Sequence, residues 1–416
     1  MEKKLNFIHK SNIEPNKELR SIDKQKKFFS RKIDNLDSEA KRKLLFENPR
    51  MIIESIYEGN KVKRKDHILN YIYTFDYKTG VSTRSDILTK DYKPTGIDPF
   101  YANFPHLIDV GIMGHCTHGL SGLCMKSGVQ CYQNGLNIHK PNMSVENFRK
   151  IAEECRDLTN QFALGGRGDP NEHEHFGEIL AICRENHIVP NYTTSGFKLT
   201  DEEIALSKKY CGAVAVSWYR SDYTINAIQR FIKAGVKTNI HFVLNNDTIE
   251  EAIELLENEA FHLGINAVVF LTHKPVGLGQ KDKCLKYNDP RLEKFISFIR
   301  SKKYSFKVGI DGCFVVSLIN SSLNFNMKYL DTCEATRFTC YIDADLNMYP
   351  CSFDVNEKFK ISLKNSTILK EWHSDTFNKV RRILLKGCPG CEYNSECHGG
   401  CFLHKDMVLC KKIQEE

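Results

Sequence analysis

The chain is expected to fold as an α/β protein, with a small α+β region before its main sheet and a cysteine-rich segment after it. Three observations predict this. From Leu107 onward, short β-branched runs alternate with amphipathic helices, the mark of repeated βα units around a parallel sheet. The residues before it lack that alternation, and eight of the sixteen cysteines lie between Cys333 and Cys410.

Length and charge set the frame. The 416 residues allow two or three domains with a large core. The net charge of +7 is mild, and Lys and Arg alternate with Asp and Glu, so no nucleic-acid partner is implied. No apolar run reaches the length of a membrane span, and the start MEKKLNFIHKSN lacks the apolar centre of a signal peptide, so a cytoplasmic protein is expected. In that reducing compartment sixteen cysteines point to metal ligation in preference to disulfides.

In the N-terminal region, residues 1–105, apolar residues form two groups divided by Asn48-Pro49. Asn as cap and Pro at the first helical position predict a short helix carrying Ile52, Ile53 and Ile56. From Ile68 the runs ILNYIYTFDY and VSTRSDIL, joined by Lys78-Thr79-Gly80, predict a β-hairpin.

Six βα units follow. Their strands are expected at 107–112, 161–164, 188–193, 213–217, 237–244 and 266–271. Thr200 with Glu203, and Thr248 with Glu251, fit the capping box at the starts of two helices. Six such units make either an open doubly wound sheet or an incomplete barrel, and in both ligands gather at the carboxyl ends of the strands.

The loops at that edge hold the candidate site. The first, GIMGHCTHGLSGLCMKSGVQCYQNG, carries Cys116, Cys124 and Cys131 among glycines. Three thiolates on one loop can hold an iron–sulfur cluster or a zinc ion and leave one coordination position open. After the second strand, Gly165 and Gly166 expose backbone to a ligand, and Asp169 can accept a hydrogen bond from an ammonium group. Ser195 and Ser217 end the third and fourth strands, where a hydroxyl binds a ribose or caps the next helix. Cys155, Cys183 and Cys211 read as core residues and Cys284 lies in a connection, whereas Cys313, with Asp311 beside it, is kept as a candidate reactive thiol.

The tail carries the most specific spacing: Cys333-x6-Cys340-x10-Cys351, then Cys388-x2-Cys391-x5-Cys397-x3-Cys401 and Cys410. Eight thiolates suit two tetranuclear iron–sulfur clusters or two structural zinc sites.

With CPGCEYNSECHGGC and CYIDADLNMYPC in the tail, residues 107–410 resemble the radical S-adenosylmethionine enzymes that carry a C-terminal SPASM domain. The resemblance implies a partial (β/α)6 TIM-like barrel over 106–320 and an auxiliary iron–sulfur domain over 321–416. By similarity Cys116, Cys124 and Cys131 would hold the catalytic [4Fe-4S] cluster, Cys333, Cys340, Cys351 and Cys401 an inner auxiliary cluster, and Cys388, Cys391, Cys397 and Cys410 an outer one. Three departures stand out. The loop cysteines are spaced by seven and six residues where the family has CxxxCxxC, Arg167 replaces the acid of the family's GGE motif, and Leu346 replaces a glycine. Lengthening a flexible loop costs only roughly 0.6 kcal/mol per doubling. Gly165 and Gly166, with Asp169 compensating for the missing acid, would hold the methionine amino group, and Tyr132 would pack near adenine.

The resemblance further implies reductive cleavage of S-adenosylmethionine to a 5′-deoxyadenosyl radical, a ribosomally made peptide or protein as substrate, crosslinked or oxidised side chains as product, and a flavodoxin- or ferredoxin-like reductant. A radical enzyme acting on a small molecule and a zinc-stabilised scaffold are the rival expectations.

Overall fold

The computed structural model describes residues 33–118, 122–261, 264–323, 325–326 and 330–415. The chain start used for the cytoplasmic expectation lies outside them. Among the described residues no helix is long and apolar enough to cross a membrane.

The N-terminal region is a four-stranded antiparallel sheet behind a helix, Ser38–Glu47, whose cap Asp37 accepts from the Ala40 amide at 2.7 Å. Pro49 does start a helix, but it runs one turn, Pro49–Ile52, and the chain then enters β1 (Ile53–Glu58). Ile53 and Ile56 are therefore strand residues, paired with Asp66 and Lys63 of β2 (Lys61–Asp66). Strand β2, KVKRKD, hides its pattern in charge: Val62, Arg64 and Asp66 face inward while the lysines alternate outward. Its buried charges are satisfied, Arg64 Nε donating to the Asp157 carbonyl at 2.8 Å and Asp66 accepting from Asn103 Nδ2. The expected hairpin is β3 (Tyr71–Asp76) and β4 (Ser82–Arg84), with Asp76 accepting from the Lys78 and Thr79 amides in the turn.

The core strands are β5 (Leu107–Met113), β6 (Gln161–Gly166), β7 (Val189–Thr194), β8 (Val214–Ser217), β9 (Thr238–Leu244) and β10 (Ala267–Thr272). All six match the expected runs to within two residues. A seventh parallel strand, β11 (Lys307–Ile310), escaped notice because KVGI is short and interrupted by Gly309. Helices Val145–Cys155, Phe176–Glu185, Asp201–Tyr210, Asp222–Ala234, Ile249–Glu257 and Pro290–Ser301 connect consecutive strands.

Thr200 and Glu203 form both halves of the capping box. Thr248 does not: its hydroxyl donates to the Val243 carbonyl at 2.8 Å, and Glu251 is drawn away by Arg220 and by Trp218 Nε1 at 2.9 Å. An ion pair with an available guanidinium outcompetes a lone backbone donor.

The tail extends the same sheet. Strand β12 (Thr339–Ile342) pairs parallel with β5, and β13 (Asn347–Tyr349) and β14 (Ile361–Ser362) follow antiparallel, giving the order β11-β10-β9-β8-β7-β6-β5-β12-β13-β14. The ladder stays open between its end strands, as a partial barrel requires. Leu346, in the β12–β13 turn, has φ of 61°, which explains a preference for glycine there. Trp372 anchors the tail by donating to the Ala102 carbonyl at 2.7 Å.

Candidate metal centres and the chamber between them

The loop after β5 is built around Gly135. Its amide points to Cys131 Sγ at 3.4 Å, and a Cβ placed on it would come within 3.0 Å of Cys116 Cβ and 3.1 Å of the Arg167 carbonyl. Only a residue without a side chain lets Cys116 and Cys131 flank that point. Cys124 is buried on the one-turn helix Leu123–Lys126; burial raises its thiol pKa, and Cys131 beside it adds to the effect. Arg220 ties the residue after this helical turn to the end of β8 by donating to the Ser127 carbonyl at 3.2 Å. The loop after β10 clamps the third cysteine: Leu278 N donates to the Cys131 carbonyl at 2.9 Å, and a Cβ on Gly277 would fall 2.3 Å from the Tyr132 carbonyl.

Gly165 and Gly166 lie at the neighbouring strand end. A Cβ on Gly166, at φ 115°, would meet the Met113 carbonyl at 2.4 Å, whereas one on Gly165 would have no neighbour within 4 Å. Asp169 and Ser195 are brought together: Asp169 Oδ2 accepts from the Ser195 amide at 2.8 Å and its hydroxyl at 2.6 Å, and from Thr194 Oγ1 at 3.1 Å. His118 Nε2 stands 2.6 Å from the same Ser195 hydroxyl. Ser217 reaches this edge through Tyr219, whose hydroxyl pKa is driven far up by burial and then by Asp169, Cys124 and Cys131. His118 and Tyr219 were not singled out from sequence. A buried histidine inside the cysteine loop and an aromatic residue at a strand end are the signals that point to them.

In the tail one expected ligand stands elsewhere. Cys340 is 2% exposed and packs in the apolar core with Ile108 and Cys155. Successive residues of β12 point to opposite faces, so Tyr341 turns to the barrel interior and Cys340 to the helix layer. Cys313 instead stands near Cys333, Cys351 and Cys401. Burial raises the Cys351 thiol, followed by the influence of Cys333, Cys313 and Cys401; Cys333 is pushed up to about 12 by burial and then by Cys401. Asp311, expected beside Cys313 as a catalytic group, accepts from Lys274 Nζ at 2.6 Å, Thr272 Oγ1 at 2.8 Å and the Phe314 amide at 3.0 Å.

Cys388, Cys391, Cys397 and Cys410 form a separate group. Cys397 is raised to about 11 by burial, with Cys410 and Cys388 next to it, and Cys391 and Cys410 neighbour Cys388. Asn394 Oδ1 accepts from the Cys388 amide at 2.6 Å, and Gly399, at φ 76°, passes so close that a Cβ would sit 3.4 Å from Cys388 Sγ. All sixteen cysteines are free thiols, and among the described residues no three His, Cys, Asp or Glu side chains close on a single-ion site.

A cavity of about 290 Å³ has Tyr132 of the cysteine loop, Arg167, and Tyr341, Tyr349 and Cys351 of the tail in its walls. Tyr132, pushed up to about 12 by burial and then by Asp109, lies near both Cys131 and Cys351.

This arrangement has known counterparts. Mycofactocin maturase MftC of Mycolicibacterium smegmatis is 22% identical over 311 residues, 70% of this chain and 78% of that one. The same maturase of Mycobacterium tuberculosis is 21% identical over 313 residues, again 70% and 78%. Streptococcus suis SuiB bound to S-adenosylmethionine superposes with a TM-score of 0.56 at 18% identity, covering 72% of this chain and 73% of its own. SuiB bound to precursor peptide SuiA gives 0.57 at 17%, covering 73% of each. The chain is thus similar in sequence to these maturases and shares the fold of SuiB. No protein-family model matches the chain. The fold shared with SuiB rests on the open parallel sheet and the long structural overlap.

Proposed function

We propose that this protein is a radical S-adenosylmethionine enzyme that modifies a ribosomally synthesised peptide. The observation that carries the reading is the gathering of Cys116 and Cys131 about side-chain-free Gly135, with Cys124 beside Cys131, at the carboxyl end of β5. Three thiols gathered on one loop, with Gly135 leaving room for the backbone between Cys116 and Cys131, suit a tetranuclear cluster with one open iron. A cluster held by Cys116, Cys124 and Cys131 would supply the one-electron reduction that radical cleavage of S-adenosylmethionine requires.

The chain's own residues position and enclose. Gly165 presents open backbone for the methionyl group, the Asp169–Ser195–His118 hydrogen bonds fix the adjoining strand ends, and Tyr132 roofs the loop. In this reading Cys313, Cys333, Cys351 and Cys401 hold the inner auxiliary cluster, and Cys388, Cys391, Cys397 and Cys410 the outer one. Cys340 is a core residue. The peptide substrate is carried over from the maturases and from the SuiB–SuiA complex, and a flavodoxin- or ferredoxin-like protein would supply electrons.

Anaerobic reconstitution tests this directly. The protein should take up about twelve irons, four for each of three clusters, and on reduction release 5′-deoxyadenosine from S-adenosylmethionine. A protein that binds only zinc, or one that assembles clusters yet releases no 5′-deoxyadenosine, would overturn it.

A further inference from the structure

Arg167 is the one departure from the GGE motif that introduces a charge of opposite sign, and its surroundings give that charge a use. Its backbone is fixed, the amide donating to the Met113 carbonyl at 2.9 Å and the carbonyl lying against Gly135. Its side chain is not neutralised. Among the described residues the guanidinium makes no hydrogen bond or salt bridge, and its Nε is buried without a partner. Arg64 and Arg337, by contrast, each donate Nε to a backbone carbonyl at 2.8 Å. Arg167 is half-buried, and an Nε shielded from water without a partner is costly, so the complementary anion is expected from outside the chain.

The chamber wall contains carboxylates, yet each is already engaged. Asp343 accepts from the Asn347 amide at 2.8 Å and from the Tyr349 hydroxyl at 3.1 Å. Asp354 accepts from the Lys358 and Phe359 amides, and Glu357 pairs with Lys360 at 2.6 Å. Tyr341 stands near Arg167 and directs its hydroxyl over Gly111, where a Cβ would lie 2.3 Å from that oxygen. A planar guanidinium beside a phenolic hydroxyl is a fork-shaped donor set for a carboxylate.

The position of the chamber selects the source of that anion. Of the groups assigned to S-adenosylmethionine only Tyr132 lines it; Gly165, Gly166, Asp169, Ser195 and Ser217, which would hold the methionyl group and ribose, do not, whereas Tyr341, Tyr349 and Cys351 of the tail do. The methionyl carboxylate therefore lies outside it, and the space between the loop cysteines and Cys351 is left for substrate. We propose that Arg167 anchors a carboxylate of the peptide substrate, an Asp or Glu side chain or the C-terminus, in this chamber. The inference rests on the radical-enzyme reading above, because that reading makes the chamber the substrate space.

The test uses the reconstituted enzyme with S-adenosylmethionine and two probes, acetyl-Gly-Asp-Gly-amide and acetyl-Gly-Asn-Gly-amide, titrated by saturation-transfer NMR. The aspartyl peptide should bind at least about tenfold more tightly, as a charge-assisted pair requires. Arg167→Gln should abolish the difference and Arg167→Lys should retain part of it. Equal affinities in the wild type, no measurable binding of either peptide, or discrimination that survives in Arg167→Gln would overturn the proposal. Calorimetric titration of S-adenosylmethionine forms a second arm: a tenfold weakening in Arg167→Gln with peptide discrimination intact would assign the cation to the methionyl carboxylate instead. Wild-type enzyme that releases no 5′-deoxyadenosine defeats the functional reading, whereas wild type that releases it but treats the two peptides alike defeats the carboxylate anchor alone.

Discussion

Tyr132 meets Phe353 edge to face, with ring centroids 4.8 Å apart. Each ring follows closely on a cysteine, Cys131 in the loop and Cys351 in the tail, so this contact sets the separation of the two groups. Phe353→Leu keeps most of the buried apolar surface but removes the ring pair, and should cost about 1 kcal/mol. Chemical denaturation of the reconstituted protein measures it; an unchanged midpoint would mean the rings do not brace the two centres.

Gly135→Ala should remove the loop cluster alone. The added methyl would sit 3.0 Å from Cys116 Cβ and 3.1 Å from the Arg167 carbonyl, and the backbone atom cannot give way as a flexible side chain can. Iron content should fall from about twelve to about eight, with 5′-deoxyadenosine release lost and the tail clusters retained.

Cys313 and Cys340 should respond oppositely to substitution. Cys340→Ala leaves a small core cavity and costs about 1 kcal/mol, with full iron content. Cys313→Ala should lose about four irons. Iron and sulfide analysis of the two variants decides between the assignments, and the reverse pattern would restore Cys340 as ligand.

Asp109 sits at a register position opposite Tyr341, and burial raises its carboxyl from 3.8 to about 7. The folded protein therefore holds a proton that the unfolded chain releases near pH 4. Stability should fall as the pH rises from about 4 to about 7 and then level off with respect to this group. Glu334, also raised to about 7 chiefly by burial, acts in the same direction. Asp109→Asn should therefore reduce the slope without abolishing it, as melting temperatures at pH 5 and pH 8 would report. An unaltered slope would show that Asp109 is ionised in the fold.

Much of this molecule was legible in one dimension, for reasons that differ by element. The six core strands bury one face and half-bury the other, so their apolar runs stand out, and Thr200 with Glu203 forms a box because Asn171 takes Glu203 Oε1 and leaves Oε2 to the Thr200 amide. Strand β2 was missed because its outward lysines mask an inward Val62, Arg64 and Asp66. Thr248 with Glu251 has the same spacing as the real box, but Arg220 comes from another βα unit, which no local pattern reveals. The exchange of Cys340 for Cys313 has the same origin. Spacing places Cys340 among the tail thiols, but only the pleat of β12 decides which face it occupies, and Cys313 arrives from beyond the tail's own pattern. The loop glycines were visible as a group, but the particular need at Gly135 emerges only once Cys116 and Arg167 are packed against it.

The pairing of Thr339 with Leu107 has a consequence for how the chain is made. Strand β5, which leads into the cysteine loop, has β6 on one side but waits for β12 on the other until most of the polypeptide has been synthesised. During translation it is an unprotected edge, and contacts so distant in sequence form slowly. The wall of the substrate space that β12 and β13 supply is thus among the last parts of the molecule to form.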